Sequence, residues 1–328
     1  MKKKINILCT LGPSSLNPNF LKYIEGKVSL VRLNMSHIKI NELEKKIKYI
    51  RKFCRTPICI DTEGAQIRTK VNKNKKYEFK IDDKIVLNKS GGKFNLYPEN
   101  IFDKLKINDI LDIGFDGLKA KIIYIKKEKI FMRCLRKGDL EANKGVHIVN
   151  RIININYLTE KDFKAIQIAK RLKVKNFALS FTSSENDILK FKKILNNSKK
   201  IFKLETSKAL KNLNKLFRLE KNFLIDRGDL SKDISIEYIP IAQRYIFASS
   251  KKIRGTKIAI ATNFLESMTN KPYPTRAEVN DIFNALEMGA SGIVLAAETA
   301  IGKYPMECVS FLLKIIKAFK YKNKVKFN

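Results

Sequence analysis

No stretch of the sequence approaches the roughly 18 consecutive apolar residues that span a bilayer, so no membrane segment is expected. The charged opening Met1–Ile5 is followed by neither a long apolar run nor a small-residue cleavage site, and reads as the lead into a first strand. Cysteine is sparse: Cys9, Cys54, Cys59, Cys134 and Cys308, an odd number with no CxxC pair. With only two histidines and no His/Cys cluster, this argues against a zinc site or disulfide framework and fits a reducing cytoplasm. Repeats are absent, and the one biased tract is the lysine-rich Lys320–Asn328. Acidic residues are also few, 32 against 67 Lys and Arg, leaving a net charge of +35. Such an excess suggests nucleic acid when it forms one basic face. Here the lysines are spread along the whole chain, as a solvated surface with some attraction for anionic metabolites.

The 328 residues and 44% apolar content suit one large domain, or a large and a small one. Ile5–Thr10 reads as a strand, Asn17–Gly26 as a helix, and Val28–Asn34 as a second strand. Ile40–Arg55 is a second helix and Pro57–Asp61 a third strand. This alternation signals parallel βα units. From about Ala65 to Arg151 it gives way to short β-like runs, such as Lys84–Leu87 and Lys119–Ile125, with turns such as Ser90-Gly91-Gly92. Alternation resumes at Thr159, which with Asp162 suggests the N-terminus of a helix reaching Leu172. Further strands are expected at Lys175–Leu179, Lys200–Leu204, Phe223–Ile225, Lys257–Ala261 and Gly292–Leu295. Three strands before the break and five after it predict an α/β TIM (β/α)8 barrel, residues 1–64 and 152–328. A small β-rich domain, residues 65–151, is inserted after the third strand.

Active sites of such barrels lie at the C-terminal ends of the strands. Polar residues gather at five of those ends: Arg32 to His37, Asp61 to Gly64, Lys203 to Glu205, Asp226 to Asp229, and Thr262. Glu205 and Asp229 offer the hard oxygens that Mg²⁺ takes. Arg32 and Arg68 can fork onto phosphate oxygens. Lys203 alternates with Glu205, so both side chains share a face. A lysine facing the interior there is costly unless something uses it. Gly228 lets backbone approach a ligand closely.

These segments resemble the pyruvate kinase family. The resemblance is carried by Ile7–Ser15, Arg32–His37, Asp61–Thr69, Phe202–Glu205, Arg227–Leu230, Ala261–Met268, Pro274–Glu278 and Glu298–Ala300, in order over essentially the whole chain. It implies phosphoryl transfer from phosphoenolpyruvate to ADP, giving pyruvate and ATP in glycolysis. It implies that Arg32 holds the substrate phosphate and that Glu205 and Asp229 bind Mg²⁺ or Mn²⁺. Lys203 would stabilise charge on the phosphoryl group in transit and on the enolate. Gly228 and Asp229 would meet the substrate, and Thr262 would sit near the methyl-forming carbon. Asn34, Ser36, Asp61 and Thr62 would supply ligands to K⁺. His37, Arg68, Lys144 and, in the nucleotide-binding set, Asn34 would face the nucleotide; Asp116-Gly117 would face the site from the inserted lid.

The sequence departs from the family pattern in places. Glu63 stands where the family has a lysine, and Gln66 where it has a glutamate linked to K⁺ dependence, so K⁺ use is an open point. Ser183 replaces an arginine, Asp226 a small residue, Ser231 a glycine and Ala297 a serine. The sequence ends soon after the eighth barrel helix, with no counterpart of the family's effector-binding C-terminal domain, so no sugar-phosphate activation is expected. Two alternatives accompany this reading: an enzyme of the same fold acting on another phosphorylated enol or keto acid, and a non-catalytic basic binding protein. Homo-oligomerisation is left open.

Overall fold

The computed structural model describes residues 4–64, 66–71, 75–114, 117–149, 151, 153 and 155–324. Asp116 lies outside them. The chain divides into two compact units, residues 1–63 with 160–328, and residues 64–159. Residues 152–159, assigned to the barrel from sequence, group with the insert. The reason is visible at Ile153 and Ile155, which pack on the insert's apolar core.

The first unit is a closed barrel of eight strands: β1 Asn6–Thr10, β2 Leu30–Asn34, β3 Ile58–Asp61, β4 Asn176–Leu179, β5 Lys199–Leu204, β6 Asn222–Asp226, β7 Lys257–Ala261 and β8 Gly292–Leu295. Each is parallel to its neighbours in chain order, and β8 closes on β1. Helices connect the strands, and their ends follow local chemistry. Helix Pro18–Ile24 is capped by the Asn17 side chain, which accepts the Phe20 N–H at 2.9 Å. Helix Arg276–Met288 opens with a reciprocal Thr275–Glu278 capping box and stops at Gly289, whose φ of 106° suits glycine. The helix expected after Thr159 runs Glu160–Arg171, and there Asp162 turns inward to accept the Glu63 N–H at 2.8 Å.

The side-chain alternation of the strands creates the site. Leu8, Leu224, Ala261 and Val294, with Leu30, Ile201 and Ala259, form an apolar plug. Two residues further along the same faces come Thr10, Arg32, Lys203 and Asp226, all buried. Period two therefore stacks a polar layer on the apolar one, toward the strands' C-terminal ends.

The second unit holds a seven-stranded antiparallel sheet in the order Lys84–Asn88, Lys129–Arg136, Leu118–Lys126, Ile110–Ile113, Gly145–Ile148, Ile67–Val71, Phe94–Tyr97. Tyr77–Phe79 pairs separately with Gly138–Leu140. Leu118, Ala120 and Ile122 alternate into its core, with Ala120 opposite Cys134 and Ile122 opposite Met132. The Ser90-Gly91-Gly92 turn has both glycines at positive φ. Among the described residues no helix is long and apolar enough to cross a membrane. All five cysteines are free and buried.

Candidate active site

Lys203 sits at the centre of the polar layer. Its Nζ lies 2.7 Å from Glu205, 3.2 Å from Asp226 and 3.5 Å from Asp61. The Ser180 hydroxyl accepts from it at 3.3 Å. Burial alone would depress the ammonium, but Asp61, Glu205 and Asp226 outweigh burial and hold its pKa well above the usual lysine range. Lys203 is a fixed, buried positive charge.

Arg32 is the second. Its Nε donates to Thr10 Oγ1 at 2.9 Å and its Nη1 stands 3.2 Å from Asp61 Oδ2. That Nη1 makes no hydrogen bond although it is buried. On the acidic side, Glu205 Oε2 accepts the Phe181 N–H at 2.5 Å, while Oε1 is held by the Lys203 ammonium at 2.7 Å without an aligned hydrogen bond. Burial pushes the Glu205 carboxyl up to about 8; Lys203 pulls it down, and Asp229 and Asp226 add to the rise. A buried donor and a buried acceptor, each lacking an aligned partner, are what an anion and a cation would complete.

Glu205, Asp226 and Asp229 each place a carboxylate oxygen within 4.8 Å of the other two. An all-oxygen set with no His or Cys fits a hard divalent cation such as Mg²⁺ or Mn²⁺. Asp226 joins this carboxylate set, which the sequence reading limits to Glu205 and Asp229. The sequence reads the sixth strand as Phe223–Ile225, whereas β6 runs through Asp226. The available signal was the Leu224–Asp226 alternation, which copies Ile201–Lys203.

Thr262 and Gly228 are also brought together. The Gly228 N–H donates to Thr262 Oγ1 at 2.9 Å, and Thr262 Oγ1 donates to the Ala261 carbonyl at 2.5 Å. A Cβ on Gly228 would meet Thr262 Cγ2 at 3.5 Å and Asp226 Oδ1 at 3.6 Å, ordinary contacts. The protein's own packing does not require glycine here. Thr262 has φ 75°, strained for a β-branched residue, and Asn263 and Phe181 are also at positive φ. Arg227 secures this turn: it donates to the Thr262 carbonyl, pairs with Asp281 at 2.7 Å and lies over the Phe264 ring at 4.3 Å.

The residues suggested for K⁺ cluster at the ends of β2 and β3. Asn34 pairs in register with Asp61, and Asn34 Oδ1 accepts the Ser36 N–H at 3.0 Å. Thr62 Oγ1 accepts the Ser180 N–H at 3.0 Å, and Asp61 Oδ1 accepts from the Ser180 hydroxyl at 3.3 Å. His37 is exposed in the loop after β2. Arg68 and Lys144 belong to the insert. Arg68 pairs in register with Gly145 and donates to the Asn143 carbonyl at 3.3 Å, while Lys144 bridges to Glu141 at 2.8 Å.

Some departures have local explanations. Glu63 is buried, and its charge is met by Lys161 at 3.1 Å. Ser183 offers its N–H and hydroxyl to Asp187 at 3.0 and 3.2 Å, beside the Ser184–Asp187 capping box of the next helix. Ser231 donates to the Gly228 carbonyl at 2.9 Å. Nothing in the structure explains Ala297.

Comparison with protein-family models matches residues 2–309 to "Pyruvate kinase, barrel domain". The chain belongs to the pyruvate kinase family. Among curated proteins it is 31% identical to the pyruvate kinase of Thermotoga maritima, over 96% of this chain and 71% of that protein. It is 31% identical to that of Buchnera aphidicola subsp. Schizaphis graminum, over 96% of this chain and 69% of the relative. It is 30% identical to a Staphylococcus aureus pyruvate kinase, over 95% of this chain but 56% of that protein.

Proposed function

We propose that this chain catalyses phosphoryl transfer between phosphoenolpyruvate and ADP, yielding pyruvate and ATP. The observation that carries the reading is the buried set of Arg32, Lys203 and Glu205, in which Arg32 Nη1 and Glu205 Oε1 lack hydrogen-bond partners. Each is held only by an ion pair, Arg32 Nη1 to Asp61 at 3.2 Å and Glu205 Oε1 to Lys203 at 2.7 Å, and a phosphorylated enol acid with a divalent cation would supply the aligned contacts.

Phosphoryl transfer needs positioning and charge neutralisation more than covalent help. Arg32 grips phosphoryl oxygens, and Lys203 meets the negative charge that moves from phosphate to enolate. Glu205 and Asp229 would hold Mg²⁺ or Mn²⁺, which when bound neutralises phosphoryl and carboxylate oxygens. The backbone at Gly228 and Asp229 seats the substrate carboxylate. Thr262, fixed in its strained conformation, lies beside the carbon that takes a proton when the enolate becomes pyruvate. Asn34, Ser36, Asp61 and Thr62 would coordinate K⁺. His37, Asn34, Arg68 and Lys144 are assigned to the nucleotide.

The test is pyruvate formation from phosphoenolpyruvate and ADP with Mg²⁺, with and without K⁺. Product that depends on the divalent ion supports the reading. Folded protein that binds the ion but forms no pyruvate would sink it. That result would favour another phosphorylated enol or keto acid, a reading to which the extra charge of Asp226 already lends weight. Equal rates without K⁺ would remove that cation from the assignment.

A further inference from the structure

We infer that Asp226 is a third carboxylate ligand of the divalent cation and tightens its binding to the protein. The inference rests on the metal assignment proposed for Glu205 and Asp229 and adds a residue to it.

Three observations carry it. The first is distance. In an octahedron with metal–oxygen bonds of about 2.1 Å, ligand oxygens lie about 3.0 Å apart when adjacent and about 4.2 Å apart when opposite. The Glu205, Asp226 and Asp229 oxygens, all within 4.8 Å of one another, need only small side-chain rotations to reach such spacings. The second is the buried Glu205 Oε1, an acceptor that no hydrogen bond satisfies. Its one close cation is Lys203, 2.7 Å away, and Lys203 is also shared with Asp226 and Asp61. The third is placement. Asp226 follows Leu224 on the inner face of β6, so its carboxylate belongs to the same polar layer as Lys203 and is buried there.

Charge gives the consequence. Asp226 adds a third carboxylate beside Glu205 and Asp229, and the hold on a hard divalent ion strengthens with the number of charged oxygen ligands.

The experiment is Mn²⁺ binding to the full chain, followed by calorimetry and by electron paramagnetic resonance, with no phosphoenolpyruvate or nucleotide present. Wild-type protein should bind one ion. Asp226→Ala should raise the Kd about tenfold or more, equivalent to about 1.4 kcal/mol. Asp226→Asn, which keeps the shape and loses the charge, should weaken binding in the same direction and guards against a folding defect in the alanine variant. Glu205→Ala and Asp229→Ala serve as reference arms. If both lose the ion while the two Asp226 variants stay within about twofold of wild type, Asp226 is only a counter-ion to Lys203 and the inference is overturned. If neither reference variant loses the ion, the Glu205–Asp229 assignment fails first, and this inference falls with it.

Discussion

In the barrel unit the decisive ionic groups lie inside. Lys203, Glu205 and Asp226 are each no more than 4% exposed, and one ammonium is shared among three carboxylates. The insert is built the other way. Its interior is a cluster of aliphatic and aromatic side chains, and pairs such as Lys70–Glu99, Lys89–Asp103 and Lys144–Glu141 are largely exposed. An apolar core pays back its burial directly, whereas a buried ion is costly unless fully partnered. The insert's surface pairs therefore tolerate loss, while the barrel's polar layer tolerates none. Such an arrangement persists where a ligand completes it.

The sharpest way to break this contrast is Lys203→Met. Removing the ammonium leaves three buried carboxylates without their shared partner. The expected loss of stability is about 3–5 kcal/mol, measured by denaturant unfolding. Added Mn²⁺ should restore part of it, because the ion replaces the missing positive charge. Turnover should fall by about two to three decades with little change in phosphoenolpyruvate binding, because the role proposed for Lys203 is on charge that develops in transfer. A kcat within about threefold of wild type would remove Lys203 from the reaction.

Asp109 tests whether burial, rather than membership of the barrel, sets the cost. It is the insert's exception: 2% exposed, accepting from Arg151 Nε and Nη2 at 2.6 Å each and from the Lys106 N–H at 2.8 Å. Asp109→Ala should destabilise by about 1–3 kcal/mol, because the Lys106 N–H and the Arg151 guanidinium lose a shared charged acceptor, while half-buried Arg151 can still reach water. Mn²⁺ affinity should not move. A change in metal binding would mean that the two units are coupled through this pair.

The eight barrel strands were legible in the sequence because each is a short apolar run set off by helical stretches, some of them with clear caps such as Asn17 and Thr275. Lys203 and Glu205 were legible because they alternate in one strand. Asp226 was legible as a strand-end polar residue but not as a neighbour of Glu205 and Asp229. Its ion-pair partner Lys203 comes from β5, and the sequence carries no mark of that approach. The insert was read least well. Lys84–Leu87 and Lys119–Ile125 stood out, but strands of three to five residues such as Tyr77–Phe79 and Gly138–Leu140 are too short to show a period. Their pairing is decided by antiparallel partners distant in sequence.

Lys144 gives the smallest effect on stability and the cleanest separation of fold from function. Its side chain is 47% exposed and its partner Glu141 is 38% exposed, so the 2.8 Å bridge lies in water. Such pairs contribute about 0–1 kcal/mol, and less as salt rises. The backbone around Lys144 is held independently: its N–H donates to Thr69 Oγ1 at 2.8 Å and its carbonyl accepts the Thr69 N–H at 2.8 Å. Lys144→Ala leaves both bonds intact, so the melting temperature should shift by no more than about 1–2 °C. The proposed nucleotide role predicts a different outcome in kinetics. Losing one charge from a phosphate contact removes binding that is present in ground and transition states alike, which raises KM more than it lowers kcat. A rise of about fivefold in KM for ADP, equivalent to about 1 kcal/mol, is expected, with KM for phosphoenolpyruvate unchanged. If both constants stay at wild-type values, Lys144 is one more solvated lysine of a +35 chain and drops out of the proposed nucleotide contacts.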